Sequence, residues 1–317
     1  MNEQRQASSA TMQQRPAWQG ALAGAVVAGI LGTVSFLLLR DPRDPRMGDT
    51  LFLLLPLVTG ATITLVTPRA MAGAALLAGT ISIVTCLLSL IAMKQEGFLC
   101  ALMAFPVILV SLAVGVLIGV LGRMLVRRVR RAVTNSLVLV LAPMLVFAGN
   151  RLEMSGSQHA RTESVTTTIF LPAAPAAVWS NIQSLDRVEG KKPALMYVGL
   201  PIPQRCVLQG TAVGSKRICY FDQGFIEESV LEWDAPHRMR LAVDRTHMPG
   251  RHWLEFEGAE YDLKPVAGGT ELTRTTTIRS NLSPAWYWGS FEKWGVASEH
   301  EYLFSDLANR FSSPAPR

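Results

Sequence analysis

The sequence predicts an α+β domain, an antiparallel sheet wrapped around a long C-terminal helix, preceded by an all-α transmembrane bundle of about five helices. Three observations predict it. Trp18 to Leu39 is a run of 22 residues without a charged side chain, and at about 1.5 Å per helical residue that spans a hydrocarbon core roughly 30 Å thick. The composition then breaks near residue 150, where Leu, Ala, Val and Gly give way to a charged, mixed sequence. Finally, alternating β-branched stretches parted by Gly, Asp and Pro turns end in one long amphipathic stretch opened by Ser283-Pro284.

The elements follow in order. Residues 1–17 are a polar tail with Arg5 and Arg15, and the apolar run behind it is too long for a cleaved signal, so it reads as a signal anchor. Spans are expected at about 18–39, 51–66, 70–93, 98–121 and 134–149, the last weakened by Pro143 and a 13-residue apolar centre at Ser136 to Ala148. These spans hold no Asp, Glu, Lys, Arg or His, which argues against a transporter. Their glycines, among them Gly60, Gly73 and Gly79, suit close helix packing.

Charge is divided unevenly. Residues 1–150 carry 12 Lys/Arg against 5 Asp/Glu, whereas residues 151–317 carry 18 against 19. The basic balance therefore lies beside the membrane segments, no basic stripe marks the soluble half, and this argues against a nucleic-acid partner. With five spans, Arg5, Arg15, Arg69 and the five arginines from Arg123 to Arg131 share one side, making 8 basic residues; the other side takes Arg40, Arg43, Arg46, Lys94, Arg151 and Arg161, making 6. The positive-inside rule then gives a multi-pass protein of the cell (inner) membrane whose C-terminal domain is extracytoplasmic if Ser136 to Ala148 crosses; were that segment interfacial, the domain would be cytoplasmic.

A linker at 150–162 leads to a domain at 163–311 and a tail at 312–317. Val165, Thr167 and Ile169 alternate with Thr166 and Thr168 as a strand. Pro175 opens a helix carrying Val178, Ile182 and Leu185 on one face. Strands follow at Arg205–Gly210, Lys216–Asp222, Phe225–Trp233 and around Met239, Leu241 and Val243, and a last hairpin, His252–Leu263 with Thr270–Ile278, turns at Gly268-Gly269. Ser283 as N-cap and Pro284 at the first helical position begin a helix running to about Phe311.

One strand, a short helix, a meander of about six strands and a long helix is the order of a helix-grip fold. The segments Thr167 to Trp179 (TTIFLPAAPAAVW), Val213 to Glu227 (VGSKRICYFDQGFIE), Leu231 to Pro236 (LEWDAP) and Gly268 to Leu272 (GGTEL) resemble the START-like (SRPBCC) superfamily, in the group named for polyketide cyclases, dehydrases and lipid transport. The resemblance covers about half the chain. It implies a cavity between sheet and helix, and it implies no single chemistry, because the superfamily includes binders, lipid carriers and enzymes. The membrane half departs from the common family pattern, so cytosolic shuttling does not transfer.

The candidate site residues are few. Val296, His300, Leu303 and Leu307 recur at helical spacing, so His300 shares the stripe facing the sheet and is a candidate ligand contact or proton shuttle, against the alternative of a hydrogen-bonded core histidine. Tyr220, Trp253 and Tyr261 are strand aromatics able to line the opposite wall or simply to fill the core. If a four-residue loop, Thr211 to Gly214, joins two strands, then Gly210 faces Ser215, Leu208 faces Arg217 and Cys206 faces Cys219, close enough for a disulfide; two free thiols remain the alternative. No metal constellation, phosphate cradle or activated-serine motif is present, and no cofactor is expected. The expected activity is binding of a hydrophobic or lipid-like small molecule near the bilayer, with membrane lipids as the other partner. A cyclase, dehydratase or hydrolase using His300 and a tyrosine is one alternative, and an interaction module with a filled cavity is another.

Overall fold

The computed structural model of the protein describes residues 29, 48–66, 72–92, 97–125, 131–155, 160–248 and 254–312. They belong to two compact units, one built mainly from residues 49–90 and 104–157, the other from 91–103 and 158–317.

In the first unit a π-helical turn, Thr50–Leu54, runs into α1 (Leu55–Val66); α2 (Ala72–Ala92), α3 (Phe98–Leu125) and α4 (Arg131–Ser155) follow. Two helices among the described residues, α2 and α3, are long and apolar enough to cross a membrane, in place of the five expected. The physical reasons differ. The 18–39 run lies outside the described residues apart from Gly29. The apolar helix at Thr50–Val66 is too short. The apolar centre of α4 is flanked inside the same helix by Arg131, Asn135, Asn150, Arg151 and Glu153, and the helix continues to Ser155, into the stretch read as linker. Leu77, Ile81 and Leu88 of α2 are exposed, as suits a face meeting acyl chains rather than water.

Helices α1 and α3 touch through glycine. A Cβ added at Gly115 would stand 2.0 Å from the Leu57 carbonyl oxygen, and one at Gly60 would stand 2.4 Å from that of Leu112, so neither position admits a side chain at this separation. Thr59 and Thr64 of α1 return their hydroxyls to the carbonyls of Leu55 and Gly60, four residues back, and so present no unpaired donor. The start of the helical segment is capped from α4: Glu153 accepts the Asp49 amide at 2.7 Å and the Thr50 amide at 3.0 Å, placing a carboxylate where helical N–H groups lack partners.

The second unit carries β1 (Arg161–Leu171), α5 (Pro175–Gln183), α6 (Ala194–Tyr197), β2 (Pro203–Gln209), β3 (Lys216–Phe221), β4 (Gly224–Asp234), β5 (Arg238–His247), β6 (Leu254–Val266), β7 (Gly269–Ser280) and α7 (Ala285–Ser312). The seven strands form one antiparallel sheet in the order β1-β7-β6-β5-β4-β3-β2. The β6–β7 turn places Gly268 at φ 82°, a conformation that a Cβ disfavours. One capping detail differs from expectation. The Pro284 carbonyl accepts the amides of Tyr287 and Trp288, so Pro284 occupies the N-cap and the helix starts at Ala285.

A single core joins sheet and helices: Leu171, Val178, Ile182, Met239, Leu241, Leu263 and Leu272 meet Leu303 and Leu307 of α7. Between α5 and β2 the chain is pinned to α7 by polar contacts. Asp306 accepts the Glu189 amide at 2.9 Å, and the Tyr302 hydroxyl donates to the Val188 carbonyl at 3.0 Å. That segment has no periodicity, which is why the sequence gives it no element beyond a loop.

Candidate functional site

Strand alternation decides what faces α7. On β7 the inward residues are Thr270, Leu272, Arg274, Thr276, Ile278 and Ser280, while Thr273, Thr275 and Thr277 point outward and pair their hydroxyls with Thr168, Thr166 and Ser164 of β1. On β3 the inward pair is Arg217 and Cys219. The inner face of the sheet is therefore half apolar and half polar, and α7 lies across both halves.

His300 lands on the polar half. Its ring is fully buried, with Nδ1 2.7 Å from the Thr167 hydroxyl and Nε2 2.7 Å from the Thr276 hydroxyl. A neutral imidazole offers one donor and one acceptor, and two hydroxyls supply the complement. Burial, with the Arg274 cation as a second cause, lowers its pKa to about 2. Val296, Leu303 and Leu307 are buried on the same stripe, but the histidine itself is engaged at both nitrogens and stands behind the cavity wall rather than in it.

The cavity lies beside that contact. It measures ≈ 60 Å³ and is lined on its apolar side by Phe221, Ile226, Val243, Phe256, Ala259 and Leu303. Its polar side is formed by Arg217, Glu228, Tyr261, Arg274, Thr276 and Glu299. Cys206 and Cys219 close one end; they face each other in the β2–β3 register and are disulfide-bonded, with α-carbons 4.0 Å apart. Pro203 borders both this cavity and a wider groove, open to solvent, that includes Arg187, Glu189, Lys192, Arg205 and Tyr302.

The polar side is an ion-pair cluster. Arg217 Nη1 stands 3.2 Å from Glu228 Oε2, and Arg217 Nη2 donates to the Ile182 carbonyl at 3.3 Å. Arg274 Nη1 stands 2.8 Å from Glu299 Oε2. Both guanidinium carbons lie near the Tyr261 ring, 5.6 Å and 5.4 Å from its centroid, in cation–π range. Burial pushes the Glu228 carboxyl up from its ordinary range, against the pull of Arg217 and Arg274.

Of the aromatics singled out in the sequence, Tyr261 is on the cavity wall. Tyr220 is not, because it neighbours the inward Cys219 on a strand and so points the other way, where Arg205 lies 4.5 Å over its ring. Trp253 lies outside the described residues. Sequence reasoning missed Arg217, Glu228, Arg274 and Glu299. A signal for two of them was present: Arg217 is two residues from Cys219, and Arg274 is two from Leu272 and four from Ile278, so each shares the face of an inward residue. Among the described residues, no group of three His, Cys, Asp or Glu side chains is placed to hold a metal ion.

No family model matches the chain, and no curated protein matches it. Solved structures similar to its C-terminal half include a protein from Chromobacterium violaceum (13% identity, 48% of this chain and 98% of that one, TM-score 0.33) and one from Nitrosomonas europaea (14%, 47% and 94%, TM-score 0.35). A protein from Nitrosospira multiformis is 19% identical over 49% of this chain and 100% of its own, with TM-score 0.32. At these values the likenesses carry no assignment of activity. The observed sheet and long C-terminal helix fit a helix-grip fold, and no family is named by the comparisons.

Proposed function

We propose that this chain is a membrane-anchored START-like binding protein whose C-terminal domain takes a small amphipathic molecule into the cavity between sheet and α7. The observation that carries this reading is the cavity's division into an apolar wall and a converging polar wall within a sheet-and-helix core. Unfilled space beside α7 favours a binder over an interaction module with a filled core. A histidine tied at both nitrogens disfavours the His300-based enzyme. The volume favours a ligand, or a ligand head, of a few heavy atoms, since pockets that enclose drug-sized molecules measure roughly 300–1,000 Å³. The apolar helices would hold the domain near the bilayer, where poorly soluble ligands concentrate. An extracytoplasmic position is supported by the Cys206–Cys219 disulfide, which persists in oxidising compartments.

The test is calorimetric titration of the purified full chain with 1-hexanol and hexanoate, beside an Ala259→Leu variant that fills the apolar wall. Binding of either probe by the native chain, lost in the variant, is expected. If neither probe binds, or the filled variant binds both unchanged, the cavity is not a ligand site.

A further inference from the structure

We infer that the ligand is held by a carboxylate head, accepted by the Nε–H groups of Arg217 and Arg274. This rests on the reading of the cavity as a ligand site and deepens it. Both arginines are at least nine-tenths buried and line the same small cavity. Arg217 uses both Nη atoms on protein acceptors, Glu228 and the Ile182 carbonyl, and Arg274 places Nη1 on Glu299. The Nε of each is buried without a hydrogen-bond partner. A buried cationic donor without an acceptor is costly, and such groups in native proteins call for a bound partner. Here two stand on one wall, beside one tyrosine ring that both guanidiniums approach.

The charge balance selects an anion over a neutral acceptor. The groups that face one another across the polar wall are Arg217 from β3, Glu228 from β4, Tyr261 from β6, Arg274 from β7 and Glu299 from α7. Formally two cations meet two carboxylates. Burial pushes the Glu228 carboxyl up from its ordinary range, however, which makes it a poorer counter-charge for the two guanidiniums than an exposed carboxylate would be. A carboxylate adds counter-charge beside the two guanidiniums and, with two oxygens, supplies an acceptor for each Nε–H. The apolar wall of Phe256, Ala259 and Leu303 receives the first carbons of its chain. The ligand class is a monocarboxylic acid with an apolar tail.

The experiment compares hexanoate, 1-hexanol and hexylammonium, which differ only in the head, on the full chain and on an Arg274→Lys variant, by isothermal calorimetry. The lysine keeps the charge and removes the Nε–H donor. Hexanoate should bind the native chain at least about tenfold more tightly than 1-hexanol, the usual worth of a hydrogen bond to a charged group, and hexylammonium should not compete. Arg274→Lys should lose about tenfold for hexanoate with its affinity for 1-hexanol unchanged and its circular dichroism native. Should the lysine variant not fold, Glu299→Gln, which frees Arg274 of its counter-charge, is expected to bind hexanoate more tightly. Equal affinity for acid and alcohol overturns the carboxylate assignment while leaving the cavity reading intact. Unchanged hexanoate binding in Arg274→Lys overturns it too, as does density for water alone beside the two Nε atoms in crystals grown with hexanoate. Failure of all three probes to bind overturns the cavity reading itself.

Discussion

The Thr276 hydroxyl stands 2.7 Å from Nε2 of His300 and also lines the cavity, so the histidine sits one hydrogen bond behind the wall that its helix was expected to bring it to. Thr167 holds the other nitrogen at the same distance. The consequence is a histidine that contributes to folding through its neutral form.

That contribution has a sign. The unfolded chain protonates histidine below about pH 6.5, whereas the folded protein holds His300 neutral down to about pH 2. Between these values the unfolded state binds the extra proton, so stability is present above pH 6.5 and falls as the pH drops through the window, by at most about 1.4 kcal/mol per pH unit for one such group. The His300→Gln variant should be less stable at pH 7.5 yet show a shallower loss between pH 6.5 and 4.5, read from thermal unfolding by circular dichroism. An unchanged slope would show that His300 is not held neutral.

The Arg217–Glu228 pair is almost completely buried, so removing one partner should cost more than removing both. Arg217→Met strands a carboxylate in the core and should destabilise by about 3–5 kcal/mol. Adding Glu228→Leu should recover most of that loss. A double variant as unstable as the single would mean that the Ile182 carbonyl contact, or packing on Tyr261, matters more than the ion pair.

The disulfide links two cysteines 13 residues apart on adjacent strands. Replacing both Cys206 and Cys219 by Ser should lower stability by roughly 2–4 kcal/mol, the usual range for a loop of this size. Non-reducing peptide mapping should recover the linked pair from cells, and recovery of two free thiols would remove the support for an extracytoplasmic domain. A reporter active only in the cytoplasm, fused after Arg317, should stay silent on the same reading.

Gly115 and Gly73 make a matched pair. A side chain at Gly115 must push against the Leu57 carbonyl, whereas nothing lies within 4 Å of a Cβ at Gly73. Gly115→Val should lower the melting temperature of the detergent-solubilised chain by several degrees, and Gly73→Ala should leave it unchanged or raise it. Equal effects would show that α1 and α3 do not approach through their glycines.

Much of the fold was legible because burial imposes a period on the chain. The alternation of Val165, Thr167 and Ile169 and the stripe of Val296, Leu303 and Leu307 each mark an inward face, and Gly268 marks the turn between β6 and β7. The cavity was only partly legible. Tyr261 is an inward strand aromatic and lines it, whereas Tyr220, the strand neighbour of inward Cys219, must point the other way. Arg217 and Arg274 carry no motif of their own, and only their place beside inward residues on β3 and β7 marks them.

What the sequence determined by itself is periodicity, and through it the succession of strands along the chain and the Cys206–Cys219 register, since these depend on neighbours along the chain and across one short loop. What only the tertiary structure decided is which inward residues meet. Strand β7 lies between β1 and β6, and α7 crosses it so that His300 falls between Thr167 and Thr276 while Arg274 reaches Glu299. Contacts of this kind join residues from 24 positions apart, Thr276 and His300, to 133, Thr167 and His300. No local pattern encodes them, because the energy that selects them, mutual satisfaction of buried polar groups, exists only once the sheet has closed on the helix.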